Sequence, residues 1–122
     1  MTQPLRIVHC DDSPDVIRLV EDWFQDHPDL RLLASALGMR ASVEQVRAHQ
    51  PDVVVTDTMG VTGAEVFLGM LREVAPDARI VLHTGYQPFQ LRPAIRELVD
   101  AIVTKGFDET ELDAVLRALP RH

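Results

Sequence analysis

Five side chains in this sequence have the types and the placement for one kind of chemistry. Asp11 and Asp12 follow the apolar run LRIVHC at 5–10, and Asp57 ends DVVVTD at 52–57. Thr84 ends RIVLHT at 79–84, and Lys105 ends DAIVTK at 100–105. Three carboxylates gathered at one place repel one another. Two unit charges about 4 Å apart interact by about 4 kcal/mol at a dielectric suited to a protein surface. Such a cluster calls for a cation, and oxygen-only ligands select a hard ion such as Mg²⁺. Lys105 adds a fixed positive charge and Thr84 a hydroxyl donor. An aspartate nucleophile, a hard metal ion, a lysine and a hydroxyl suit phosphoryl transfer, which is mostly positioning and charge stabilisation.

The elements that must position these residues alternate along the chain. The four runs above, with RLLASA at 31–36, are short, apolar and rich in β-branched residues, the pattern of buried strands. Between them lie helical periodicities: Val16, Ile17, Val20, Trp23 and Phe24 within 14–27, and Val66, Phe67, Met70, Leu71 and Val74 within 63–74. Leu112, Val115, Leu116 and Leu119 repeat in the same way within 109–119. Ser13-Pro14 is an N-cap oxygen followed by a proline suited to the first helical position. Thr62 to Glu65, Ser42 to Gln45 and, with an acid as cap, Asp108 to Glu111 fit capping boxes. The stretch 88–98 is the weakest helix, because Pro88 and Pro93 blur its start. Five strands alternating with five helices imply an α/β fold, a parallel sheet covered on both faces. Ligands of such sheets bind beyond the carboxyl ends of the strands, which is where Asp11, Asp12, Asp57, Thr84 and Lys105 all fall.

Bulk composition fits this reading. The chain has 122 residues, read as a single domain over 1–122, and 46% of them are hydrophobic. A domain of this size buries roughly two-thirds of its unfolded surface, enough for a core without staples. The single Cys10 forms no internal disulfide and reads as a small buried hydrophobe. With 19 acids against 12 Lys and Arg the net charge is −7, which disfavours nucleic-acid and anionic-membrane binding. The opening MTQPLRIVHC lacks a secretory h-region, and no run approaches a membrane span, so a cytoplasmic protein is expected.

Taken together, these positions resemble the receiver domain of two-component response regulators over essentially the full length. The matches are the acid pair after strand one, Asp after strand three, Thr after strand four and Lys after strand five. The segments HPDLRLLASA and QPDVVVTD resemble those of receivers that often carry a helix-turn-helix output domain. The resemblance implies a flavodoxin-like, doubly wound fold with strand order 2-1-3-4-5. It implies that Asp57 accepts a phosphoryl group from a sensor histidine kinase or a phosphotransfer protein. Asp11 and Asp12, with Asp57 and the Met59 carbonyl, would hold Mg²⁺ or Mn²⁺. Lys105 would hold the acyl phosphate, and Thr84 would report it to a face made by helix four, strand five and helix five. That face would also be the one for a homodimer. No enzyme activity beyond the domain's own phosphorylation and dephosphorylation is implied.

Two departures stand out. The family usually follows its phosphoacceptor with Met-Pro and a later Gly, whereas DTMGVTGAE has no Pro and its Gly arrives about two residues early. A short loop follows, carrying Met59. The aromatic residue that often precedes the Lys by three positions is here Ile102. Tyr86, two residues after Thr84, and Met59 occupy positions that tune access to the phosphoryl group. These departures motivate an alternative, a docking module that works without phosphorylation. A haloacid-dehalogenase-like phosphatase is disfavoured, because the first strand is followed by Asp-Asp-Ser-Pro-Asp rather than Asp-x-Asp, and there is no room for a cap domain. His9 and His83 could form a metal-ligand pair, but buried, hydrogen-bonded histidines are the expected reading. His27, His49 and His122 are expected at the surface, and Trp23 and Phe24 in the core. Met59, Gly60 and Gly63 do not form a phosphate-binding glycine motif.

Overall fold

The structure, a computed structural model, describes residues 3–60, 63–106 and 108–120. Strands β1 (Leu5–Asp11), β2 (Leu30–Leu37), β3 (Val53–Thr56), β4 (Arg79–Thr84) and β5 (Ala101–Thr104) pair in the order β2-β1-β3-β4-β5, all parallel. Helices α1 (Pro14–Gln25), α2 (Met39–His49), α3 (Ala64–Val74), α4 (Pro93–Glu97) and α5 (Thr110–Ala118) alternate with them along the chain. This is the flavodoxin-like arrangement expected from the sequence.

The period-2 alternation of a strand sorts the core into two layers. Ile7, Val53, Val55, Val81 and Val103 pack with Val20 and Phe24 of α1 and Leu112 and Leu116 of α5. The intervening Val8, Cys10, Val54, Ile80 and Leu82 pack with Val43 and Val46 of α2, Phe67, Leu68 and Leu71 of α3, and Ile95 of α4. Strand β2 follows the same sorting only through a bulge. Ile7 pairs with Leu32 but Val8 with Ala34, so Leu33 is the extra residue. Leu30 and Leu32 therefore join the α1/α5 layer, and Ala34 and Ala36 the other.

The helix ends follow their local signals only in part. Ser13 Oγ accepts the Val16 amide at 3.4 Å and Pro14 opens α1, as expected. Ser42 is not a cap: α2 begins at Met39, and the Ser42 hydroxyl, one turn inside, donates to the Gly38 carbonyl at 2.6 Å. The reason is Gly38, whose φ of 88° lets the chain turn directly from β2 into the helix. Asp108 sits one position before the cap, Glu109, and accepts the Thr110 amide at 3.0 Å. The Thr62 cap falls outside the described residues. The expected 88–98 helix is a single 3₁₀ turn, Pro88–Gln90, followed by the five-residue α4, because Pro93 opens a new helix and cannot continue the previous turn.

Phe24 is buried, while Trp23 is half-buried and donates its indole N–H to Asp113 at 2.9 Å, joining α1 to α5. Arg117 extends this link to Asp113 and Asp29. His27 stacks on Trp23 with ring centroids 5.0 Å apart, and both His27 and His49 are half-buried rather than fully at the surface. His122 lies outside the described residues.

His9 and His83 are buried, at 0% and 4% exposure, but they are not hydrogen-bonded as expected. Both ring nitrogens of His9 and Nδ1 of His83 have no partner. The rings lie in the mainly aliphatic α1/α5 layer, where Val55 is paired beside His9 and Val103 beside His83. Ser35, on the other side of His9, leaves its own hydroxyl unpaired. The charged groups nearby are Asp11, Asp57 and Lys105 at the rim. Burial first, then the charges of His83 and Lys105, pushes His9 down to about 3. Burial and Lys105 push His83 down to about 4, against the opposing pull of Asp57. Both rings are neutral when folded, while the unfolded chain protonates them below about pH 6.5. Their contribution is thus fully present above about pH 6.5 and is lost as pH falls toward the folded values, by up to about 1.4 kcal/mol per pH unit for each ring. Lowering the pH from about 7 to about 5 should therefore weaken the wild type against urea more steeply than a His9→Val/His83→Val variant, which keeps the rim charges. Parallel pH profiles for the two proteins would contradict this.

Candidate functional site

The odd-numbered positions that point into the α1/α5 layer continue past the strand ends, and this continuation builds the site. Asp11 closes β1, Asp57 follows β3, and Lys105 follows β5. The strand register holds them level. The Asp57 amide donates to the Cys10 carbonyl at 3.0 Å and the Lys105 amide to the Thr84 carbonyl at 2.7 Å, so each ladder runs one rung beyond its strand. The Lys105 ammonium then lies 3.0 Å from Asp11 Oδ2 and 3.2 Å from Asp57 Oδ1. Asp11 is fully buried and Asp57 nearly so, at 8% exposure. Asp12, next along the chain, is exposed. Asp11, Asp12 and Asp57 nevertheless offer oxygens that all lie within 4.8 Å of one another.

The electrostatics follow from burial and from the count of charges. Desolvation raises the Asp11 pKa, outweighing the lowering by Lys105 and the Ser13 amide, which donates to Oδ1 at 2.9 Å. Burial pulls Lys105 down, but the two carboxylates outweigh it and its pKa is raised, so it stays charged. One ammonium faces three carboxylates. The donor set is all oxygen and carries excess negative charge, which fits a hard divalent cation.

The loop after Asp57 is tight. Met59 adopts φ 58° and Gly60 φ 94°, and the Met59 amide turns back to donate to Asp57 Oδ2 at 2.9 Å. Both Asp57 oxygens are therefore engaged, one by Lys105 and one by the Met59 backbone. Thr84 is fully buried, and its position is the opposite one in the alternation, on the α3/α4 side. Its Oγ1 accepts the Tyr86 amide at 3.2 Å. Tyr86 is 39% exposed and, with Thr58, Gln90, Leu91, Arg92 and Ile95, lines a cavity of about 40 Å³ beside the site. Ile102 is half-buried and packs against the α2/α3/α4 core layer.

Of the residues read from the sequence, the structure brings Asp11, Asp12, Asp57 and Lys105 together, with Met59 in contact through its backbone. Thr84 and Tyr86 flank the group. The sequence did not disclose that His9 and His83 share a layer with Asp11 and lie against it. The parity of His9 with Asp11, and of His83 with Val81, was the available signal.

Comparison with known proteins places this geometry. The response regulator receiver domain model matches residues 7–117. A protein-glutamate methylesterase/protein-glutamine glutaminase of Nitrobacter winogradskyi is 40% identical over 55 residues, which are 45% of this chain and 13% of that protein. The chain thus spans a small part of the curated relatives that it matches. A LuxR-family two-component response regulator from Aurantimonas sp. SI85-9A1 superposes with a TM-score of 0.82 at 25% identity, covering 95% of this chain and 84% of that one. A structure of the P1 domain of CheA3 in complex with CheY6 from R. sphaeroides matches with a TM-score of 0.79 at 21% identity, covering 97% and 98% of the two chains. With a match over nearly its whole length and the sheet order to go with it, this chain belongs to the response regulator receiver domains of two-component signalling.

Proposed function

We propose that the chain accepts a phosphoryl group on Asp57 in an Mg²⁺-dependent reaction and thereby switches a partner or output surface. The observation that carries this reading is a nearly buried carboxylate at a strand end, held by one ammonium inside an acidic cluster that one ammonium cannot neutralise. Asp57 Oδ would attack phosphorus as the P–N bond to the donor's histidine breaks and the imidazole leaves. Asp11, Asp12 and Asp57, with the Met59 carbonyl, are the residues that would hold Mg²⁺ or Mn²⁺. The bound ion supplies positive charge to the phosphoryl oxygens and removes the repulsion among the carboxylates. Lys105 keeps its contact with the Asp57 side and meets the incoming phosphoryl oxygens as a point charge. Thr84 Oγ1 accepts the Tyr86 amide and would donate its own O–H to a phosphoryl oxygen, and turning the hydroxyl that way would pass the change to the segment leading into α4. Tyr86 and Met59 border the entrance and would limit water. The domain would catalyse only its own phosphorylation and dephosphorylation.

A sensor histidine kinase or phosphotransfer protein is the partner that this chemistry needs. The R. sphaeroides structure, which pairs a P1 domain with CheY6, offers a precedent for such a complex. A face made by α4, β5 and α5 is the proposed surface for a homodimer. With a net charge of −7, this domain is not proposed to bind nucleic acid itself. Membrane insertion is not part of the reading either, and no helix among the described residues is long and apolar enough to cross a membrane. The proposed setting is cytoplasmic, in the same compartment as the kinase's phosphohistidine.

A second reading, a docking module that works without phosphorylation, draws on the tight loop at Met59 and on Ile102 where an aromatic residue is usual. Intact-mass spectrometry after incubation with acetyl phosphate separates the two. The phosphoacceptor reading expects one adduct that needs Mg²⁺ and is lost in Asp57→Asn. An adduct that persists in Asp57→Asn would remove Asp57 from the role. The absence of both adduct and Mg²⁺ binding would favour the docking module.

The metal reading has its own test. Calorimetric titration should show Mg²⁺ binding weakened by about tenfold or more, about 1.4 kcal/mol, in Asp12→Ala. Lys105→Ala should bind Mg²⁺ more tightly, because a competing positive charge is gone, yet form the adduct more slowly. Unchanged Mg²⁺ affinity in both variants would place the ion elsewhere.

A further inference from the structure

Beneath the acidic rim lies a second group of ligand-type side chains that the phosphoryl chemistry does not use as a set. His9, Asp11 and His83 are all buried, and each offers a donor atom within 4.8 Å of the other two. The two imidazoles stand with ring centroids 6.4 Å apart and planes tilted by 56°. Neither His9 nitrogen has a hydrogen-bond partner, nor has Nδ1 of His83. Asp11 Oδ2 has only its ion-pair contact with Lys105. Unpaired buried polar atoms are costly and normally rare. Here the side chains that carry them each bring a donor atom within 4.8 Å of the other two, close enough for one ligand to bridge them.

The donor set specifies the ligand. Two imidazoles and one carboxylate suit a borderline transition ion of the Zn²⁺ class, whereas Mg²⁺ is bound by oxygen alone. Ligating histidines must be neutral, and burial already keeps both rings unprotonated at neutral pH. A catalytic-type zinc site has three protein ligands and one open position, and the trio matches that count. The way in is from the rim, where Asp57 and His83 keep a small exposure of 8% and 4%.

We propose that His9, Asp11 and His83 bind one Zn²⁺-class transition ion, with water as its fourth ligand. Binding takes Asp11 from Lys105, which retains Asp57 at 3.2 Å. Asp11 then serves two candidate metal sites, and drawing it toward the histidines takes charge from the rim, so the ion would act as a brake on Mg²⁺-dependent phosphorylation. That last consequence rests on the phosphoacceptor reading, while the site itself does not.

The test is calorimetric titration of chelator-stripped protein with Zn²⁺ in Mg²⁺-free buffer. One Zn²⁺ per chain is expected. His9→Val and His83→Val should each weaken binding by about 100-fold or more. His49→Val, which removes a half-buried histidine outside the trio, should bind Zn²⁺ as the wild type does. Zn²⁺ binding that survives in both histidine variants would assign it to the acidic rim or to His27, His49 or His122 and overturn the site. No Zn²⁺ binding by the wild type would also overturn it, leaving a buried water as the partner of the two rings. Imidazole ¹⁵N resonances of the wild type answer the same question without any substitution. His9 and His83 should shift on Zn²⁺ addition, and a shift confined to the other rings would refute the proposal. Mg²⁺ titration reports separately on the phosphoacceptor reading, so either can fail alone.

Discussion

One ammonium group between two buried carboxylates sets the terms for the rest of the molecule. Lys105 stands 3.0 Å from Asp11 and 3.2 Å from Asp57. Withdrawing either carboxylate from water is expensive unless the charge is met at close range. The three residues come from three separate strands, so the pairing holds only while β1, β3 and β5 keep their register. A slip of one residue in any of them would turn its charged group to the opposite layer. The parallel sheet thus acts as a jig, and the apolar runs behind each charged tip are what make the jig rigid.

The arrangement is incomplete in charge. Asp12 adds a third carboxylate at the rim without a cation of its own among the described residues, and the tight turn at Met59 brings a backbone amide, not a side chain, to Asp57. The turn uses a residue at φ 58° where glycine would be easier, and it is followed by two glycines with positive φ, Gly60 and Gly63. A loop this short reaches back to the carboxylate through the backbone, so its geometry and the state of Asp57 are coupled directly.

Much of this was legible in the sequence, for a physical reason. Buried parallel strands read as continuous apolar runs, and a charged residue at the end of such a run is conspicuous, as Asp57 is after Val53, Val54 and Val55. Asp11, Asp12 and Lys105 followed from the same logic. What failed was of two kinds: local signals overridden by a residue a turn away, and contacts with neighbours distant in sequence. Ser42 has the spacing of a cap, but Gly38 starts the helix a turn earlier. The stretch after β4 was expected to be one helix, but its two prolines divide it. The histidines were expected to find partners because buried polar atoms nearly always do. Nothing local to His9 or His83 reveals that the strands beside them place Val55 and Val103 there, which offer no side-chain hydrogen bond. The β2 bulge was equally invisible, since it exists only in the pairing with β1.

The chain between β4 and β5 is thinly anchored. Residues 85–90 are all exposed, Phe89 at 81%, and only Leu91 and Ile95 are fully buried before the chain reaches β5. A five-residue helix has too few internal hydrogen bonds to persist on its own. Its free energy of local opening must therefore lie far below that of the sheet. This segment begins at Thr84, whose hydroxyl holds the Tyr86 amide, so one hydrogen bond sits at the root of the most deformable stretch between two rigid strands. The same perturbation at the strand end therefore moves this segment more readily than the five-stranded sheet. The fold thus sets a stiff part that defines distances beside a soft one.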